Sequence, residues 1–179
     1  FPSSYNRITT SIIWGDGATF STWFSPKYTH ILGIQGLPSN TLSLHLGQHS
    51  DYMADYISLG LSETSNGKPS GLGEDEWRDI WWNITAMHDP DEAISDYESY
   101  GDYIAERGSS KAHTYHWLHA WQQLGTMRTD IKADHPTAVV FEKSSQKTYA
   151  VYNYQSTEKT VTFSDGTVVL AAPNGFTLQ

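Results

Sequence analysis

The sequence predicts an α+β chain in which helices come first and a small antiparallel sheet comes last. In the segments Asp51–Leu61 and Glu74–Gly125, apolar residues recur every three or four positions, the period of a helix face. After Pro136 the pattern changes to alternation, the period of strands with one buried face. Proline, glycine and capping residues fall at the changes of pattern. The expected division is a helical region, residues 1–135, followed by terminal antiparallel strands, residues 136–179.

Residues Ser11 to Leu61 are turn-rich, and Pro26 and Pro38 in "TFSTWFSPKYTHILGIQGLP" restrict helices there to short segments. Met53, Tyr56, Ile57 and Leu61 share a helical face, which predicts a helix near Asp51–Ser58. "SETSNGKPSGLGE" then reads as a polar loop. In "EDEWRDIWWNITAMHD" the residues Trp77, Ile80, Trp81, Ile84 and Met87 make an apolar stripe. Trp81 and Trp82 diverge by about 100°, so one of them is expected to leave that stripe and meet another element or a ligand. In the next helix Asp89 can cap, Pro90 suits the first position and Glu92 has capping-box spacing. Its inner face is predicted as Ile94, Tyr97 and Ile104, with Gly108 as terminator. "TYHWLHAWQQLG" follows, capped by Ser109 or Ser110, ended by Gly125, and facing inward through Trp117, Ala120, Trp121 and Leu124 beside His113. "TAVVFEK", "KTYAVYNY", "KTVTFS" and "TVVLAAP" are the predicted strands, joined by "SSQ", "QSTE" and "DG".

The composition narrows the function. The chain has 179 residues, 38% hydrophobic and 17% charged, which is the balance of a globular protein. A net charge of −9 without a Lys/Arg cluster disfavours nucleic acid as a partner. No apolar run reaches the roughly 20 residues of a membrane-spanning helix. The absence of cysteine removes disulfides, thiolate chemistry and Cys-based zinc sites. The opening "FPSSYNRITT" has no initiator Met and no leader pattern, so a preceding segment is expected to have been removed or to lie outside this chain. Aromatic residues make up 13%, including 7 Trp and 11 Tyr, and such rings serve cores, interfaces and sugar faces alike.

No catalytic set emerges. His113 and His119 diverge by about 120° on one helix, so the histidines of that segment are not expected to converge on a metal. His45 and His49 have helical spacing but lack the glutamate of a zinc-protease motif. Glu74, Asp75, Glu76 and Asp79 read as a solvated first turn, where negative charge is favourable. Asp16 and Asp165 occupy turns. A glycosidase needs two carboxyls facing each other across the scissile bond, and no spacing here pairs two in that way. Asn83 heads a formal glycosylation sequon on a Trp-lined helix, where modification is not expected. No catalytic residue, metal ligand or cofactor is therefore assigned.

Several stretches, in order, resemble glycoside hydrolase family 81, the endo-β-1,3-glucanases or laminarinases. "WGDGATFSTWFSPKYTHILGIQGLP" is similar to the family's W-G…T-W-F/W-S…I-x-G-I-x-x-L-P segment, and "SLHLG" and "DY" follow in place. "EWRDIWWNITAMHDPDEAI" resembles its W-x-D-I-x-W…A-x-x-D-P-x-x-A stretch, and "SSKAHTYHWLHAWQQLG" its T-Y-Y-W-I-H helix. "TYAVYNY" and "VTFSDG" resemble its closing strands. The similarity runs from Trp14 to Gly166; "ETSNGKPSGLGE" has no counterpart in it.

The resemblance implies the C-terminal portion of a secreted enzyme that cleaves laminarin-like β-1,3-glucans with inversion, the helices forming part of an (α/α)-barrel-like domain. The family's acid, an Asp, and its base, a Glu of an E-x-x-x-E helix, lie upstream of the W-G segment, so no catalytic role falls on this chain. Such a toroid needs about a dozen helices, far more than are predicted here. Trp-rich stripes are expected to remain exposed until the missing N-terminal part of the enzyme covers them. Trp23, Phe24 and His30, crowded in an irregular Pro-bounded segment, are the expected glucan-binding residues. The alternative is a non-catalytic glucan-binding or structural module using the same rings; a polysaccharide lyase would differ from both in yielding unsaturated products.

Overall fold

The computed structural model describes residues 33, 47, 50–61, 77–100 and 102–179. The described residues combine α-helices with small antiparallel sheets, an α+β composition. They belong to two compact units, one extending to Gln122 and the other Gln123–Gln179. The second unit begins before Pro136 because the short strand β1, Thr126–Met127, already pairs with the sheet.

In the first unit, helix α1 spans Ser50–Leu61 and buries Met53 and Tyr56, two of the residues that predict it. Helix α2, Arg78–Thr85, differs from the predicted stripe in being buried on every side, Arg78, Asp79 and Asn83 included. Trp77 precedes it as N-cap in the left-handed region, with φ 57°. Its carbonyl accepts from the N–H groups of Ile80 and Trp81, both at 3.1 Å. Helix α3, Pro90–Ser99, starts as the capping residues require: the Asp89 carboxylate accepts from Glu92 N–H at 2.9 Å, with Pro90 in the first turn. It ends at Tyr100, well short of Gly108, and Ile104 is exposed instead of inward-facing. Acidic residues and no basic ones occupy its C-terminal half, which disfavours continuation against the helix dipole. The chain beyond it instead buries Tyr103 and presents the Glu106 N–H to Asp79.

Helix α4, Lys111–Leu124, is capped by Ser110, whose hydroxyl accepts from His113 N–H at 3.1 Å. Its buried face is Thr114, Trp117, Leu118 and Trp121. Ala120 is exposed and Leu124 half-buried, so the inner face lies rotated from the predicted one. Gly125 ends the helix at φ 79°, where a Cβ would stand 2.2 Å from the Glu142 carbonyl oxygen; only glycine fits.

The second unit contains the predicted strands β2 (Ala138–Lys143), β3 (Gln146–Asn153), β4 (Lys159–Thr162) and β5 (Val168–Ala171), with β6 (Gly175–Leu178) in addition to β1. They form a sheet of order β1-β2-β3-β6 and a β4-β5 hairpin, all pairs antiparallel. Lys143 pairs with Gln146 across Ser144 and Ser145, both at positive φ, as a two-residue hairpin turn with the twist of its strands demands. Alternation sends Val140, Tyr149 and Val151 from the larger sheet into one cluster with Val161, Phe163, Val169 and Ala171.

Polar groups join the two sheets. Fully buried Asn153 donates through Nδ2 to the carbonyls of Thr157 (2.8 Å) and Ala171 (3.2 Å), while its Oδ1 accepts from Gln155 N–H at 3.0 Å. Asp165 accepts from the Tyr149 hydroxyl at 2.5 Å, from Lys147 Nζ at 2.9 Å and from Thr167 N–H at 3.1 Å. Those donors, Tyr149 foremost, hold its carboxyl well below the usual range. Asn153→Asp turns a donor between two carbonyls into an acceptor, and a loss of about 1–3 kcal/mol is expected in urea unfolding. Unchanged stability would show that this amide does not join the sheets.

Candidate functional site: the tryptophan-walled helices

The buried side of α2 organises the rings. Trp81 and Trp82 are both fully buried, and Trp82 meets another element as its divergence from Trp81 predicts. It packs edge-on against Tyr103 at 4.9 Å and Tyr97 at 5.6 Å between centroids, the arrangement ring quadrupoles favour. Trp81 lies 6.2 Å from Tyr56 of α1. Trp117 donates through Nε1 to the Asn83 carbonyl at 2.9 Å and packs 6.1 Å from Trp121. A Cβ at position 47 would stand 2.4 Å from the Trp121 ring, so Gly47 admits that ring by lacking one. Exposed Trp stripes were expected; Trp81, Trp82, Trp117 and Trp121 are instead all buried, sheltered by elements of their own unit. Asn83 of the sequon is likewise inaccessible, at 0% exposure.

Asp79 departs most from the sequence reading. Rather than occupying a solvated first turn it is fully buried, with Oδ2 accepting from Glu106 N–H at 2.9 Å. Burial raises its pKa above the ordinary Asp range, and the Glu106 N–H opposes that rise in part. A buried acid under protein on all sides cannot reach a substrate, so its role is to hold the 102–110 segment onto α2 through the Glu106 N–H. Glu74, Asp75 and Glu76 lie outside the described residues, as do Asp16, His45 and His49.

The histidines of α4 separate by environment. His113 sits 5.9 Å from the Trp117 ring, half-buried, and His116 is exposed. His119 stands 4.3 Å from Tyr115 between ring centroids. Among the described residues no three His, Asp or Glu side chains stand close enough to share a metal ion. Tyr115 is 47% exposed and is backed by Tyr97 at 6.4 Å, so rings run continuously from buried Trp82 through Tyr97 to the surface. Beside them Gln122 donates through Nε2 to Asp91 at 2.9 Å, and its Oε1 lies 3.3 Å from His119 Nδ1. This exposed group was not singled out in the sequence. The spacings of Tyr115, His119 and Gln122 on one helix were legible, whereas the contributions of Asp91 and Tyr97 depend on how α3 packs.

Trp23, Phe24 and His30, the expected glucan-binding residues, lie outside the described residues, as do Trp14 and Tyr28. The raised pKa of Asp79 has a signed consequence. Its neutral form is favoured by folding, so the burial penalty is absent at low pH and grows as pH rises through the carboxylate range toward the raised value. Asp79→Asn keeps an acceptor for Glu106 N–H but cannot ionise. Thermal unfolding from about pH 3 to 7 should show the wild type losing stability relative to this variant as pH rises; parallel pH profiles would contradict the assignment.

No known family model matches the chain. Its relatives are nonetheless specific. It is 35% identical over 174 residues, 97% of its length, to a glucan endo-1,3-beta-D-glucosidase of Thermobifida fusca, and spans 22% of that relative. It is 33% identical over 179 residues, 100% of its length, to a glucan endo-1,3-beta-D-glucosidase of Acetivibrio thermocellus, again spanning 22%. The structure superposes with a TM-score of 0.74 on a mutant of the glycoside hydrolase family 81 protein from Clostridium thermocellum, at 33% identity, covering 88% of this chain and 21% of that one. The chain thus spans about a fifth of the length of the curated relatives it matches. In its ordered motifs, its sequence identity along the whole chain and its fold, the chain is similar to a portion of glycoside hydrolase family 81 proteins.

Proposed function

We propose that this chain is the C-terminal portion of a secreted endo-β-1,3-glucanase that hydrolyses internal linkages of laminarin-like glucans with inversion. The observation that carries the reading is sequence identity of 33–35% along essentially the whole chain to proteins named glucan endo-1,3-beta-D-glucosidases. In this reading α1 to α4 are part of an (α/α)-barrel-like domain. The partner is the N-terminal remainder of the same enzyme, and the substrate is a β-1,3-glucan.

Inversion needs one carboxylic acid to protonate the leaving oxygen and one carboxylate, about 6.5–9.5 Å away, to activate water. By family resemblance both groups belong to the remainder of the enzyme. The helices described here contribute a rigid wall: Trp82, Trp117 and Trp121 are locked by packing and by the Trp117–Asn83 hydrogen bond. A wall of this kind serves glycoside cleavage by holding the glucan still relative to the acid and the water. Trp23, Phe24 and His30 remain the proposed sugar contacts.

The reading is tested by comparing this chain alone with the complete enzyme for release of reducing sugar from laminarin. Activity is expected only from the complete enzyme; hydrolysis by the isolated chain would place a carboxyl pair within it. In the complete enzyme Trp23→Ala is expected to weaken laminarin binding about tenfold, the scale of one lost stacking ring. Unchanged affinity and turnover would remove Trp23 from the glucan contacts.

A further inference from the structure

Resting on the glucanase reading above, we propose that Tyr115 and His119 form a sugar-holding platform on the α4 surface, with Tyr115 as the stacking face and His119 Nε2 as a hydrogen-bond acceptor. It is assembled from residues other than Trp23, Phe24 and His30.

Three observations converge on this site. Tyr115 is 47% exposed, whereas Trp81, Trp82, Tyr103, Trp117 and Trp121 of the same unit are buried in helix packing. It is also held in place: Tyr97 backs it at 6.4 Å, and Tyr97 rests in turn on Trp82 at 5.6 Å and Tyr103 at 5.9 Å. A ring fixed in this way presents its surface with little side-chain entropy left to lose on binding.

The third observation is the direction of the hydrogen bonds beside the ring. Asp91 is a carboxylate and can only accept, so the Gln122 atom 2.9 Å from it is the donating Nε2. That choice turns Gln122 Oε1 toward His119, where it faces Nδ1 at 3.3 Å. An amide oxygen can only accept, so His119 carries its proton on Nδ1. In the neutral imidazole Nε2 is then a bare acceptor. Asp91, on α3, thus sets the tautomer of a histidine on α4 through one intervening amide.

An aromatic face with an adjacent acceptor suits a pyranose, whose C–H face stacks on a ring while an equatorial hydroxyl donates sideways. A β-1,3-glucan offers such faces and hydroxyls repeatedly and carries no charge. A phosphorylated or acidic ligand would find only acceptors in Asp91 and in Nε2.

The test uses the complete enzyme carrying this chain and measures laminarin affinity by calorimetry together with hydrolysis of laminarin. Tyr115→Ala is expected to weaken affinity about five- to tenfold, and Tyr115→Phe, which keeps the ring, to change it less than about twofold. His119→Phe removes the acceptor while retaining an aromatic ring, and about a fivefold loss is expected. Asp91→Asn permits Gln122 to reverse and so to offer its amide N–H to Nδ1, moving the proton to Nε2; a loss similar to that of His119→Phe should follow. Circular dichroism melting checks that each variant is folded. Wild-type affinity in folded Tyr115→Ala would overturn the platform while leaving the glucanase reading intact. Failure of the wild-type enzyme to bind and hydrolyse laminarin would overturn both.

Discussion

Burial of α2 on every side is the constraint on which the helical unit depends. A helix that shows no face to water must supply partners for its polar residues as well as its apolar ones. The Asp79 carboxylate accordingly receives the Glu106 N–H, and the backbone carbonyl of Asn83 receives the Trp117 indole. The 102–110 segment and α4 are each tied to α2 by one such bond in addition to ring packing. Loss of either bond would leave a buried polar group unpaired, which costs more than a surface bond is worth.

The same arrangement explains why the rings are rigid. Edge-to-face contacts link Trp82 to Tyr97 and Tyr103, and the series runs from buried Trp82 through half-buried Tyr97 to exposed Tyr115. A surface ring continuous with a packed interior is positioned by that interior. In the strand unit, the Asn153 amide and the Asp165 carboxylate bind the turns to the strands, so that a small core of aliphatic residues with Tyr149 and Phe163 suffices.

Much of the fold was legible in the sequence, and for identifiable reasons. Asp89-Pro90 and Ser110 marked helix starts because their caps are local, within three residues of the groups they satisfy. Gly125 marked an end because its positive φ excludes side chains. The β2–β3 and β4–β5 hairpins follow from alternation and short turns. What escaped notice was nonlocal or short: β1 has only two residues, and β6 is defined by its pairing with β3, from Ala150 with Leu178 to Asn153 with Gly175. The end of α3 at Tyr100 is likewise nonlocal, since Ile104 continues the apolar period while Tyr103 is the residue that packs.

The sequence by itself determined the α+β composition, the helix caps and turns, and the ordered motifs of glycoside hydrolase family 81. These are local patterns or extended linear similarities, and a linear string can hold them. Tertiary structure alone decided that Asp79 is buried instead of solvated, that Trp81, Trp82, Trp117 and Trp121 are sheltered, and that Asp91 reaches His119 through Gln122. Each of those depends on which element packs beside which, and burial and hydrogen-bond direction are properties of that neighbourhood rather than of residue spacing.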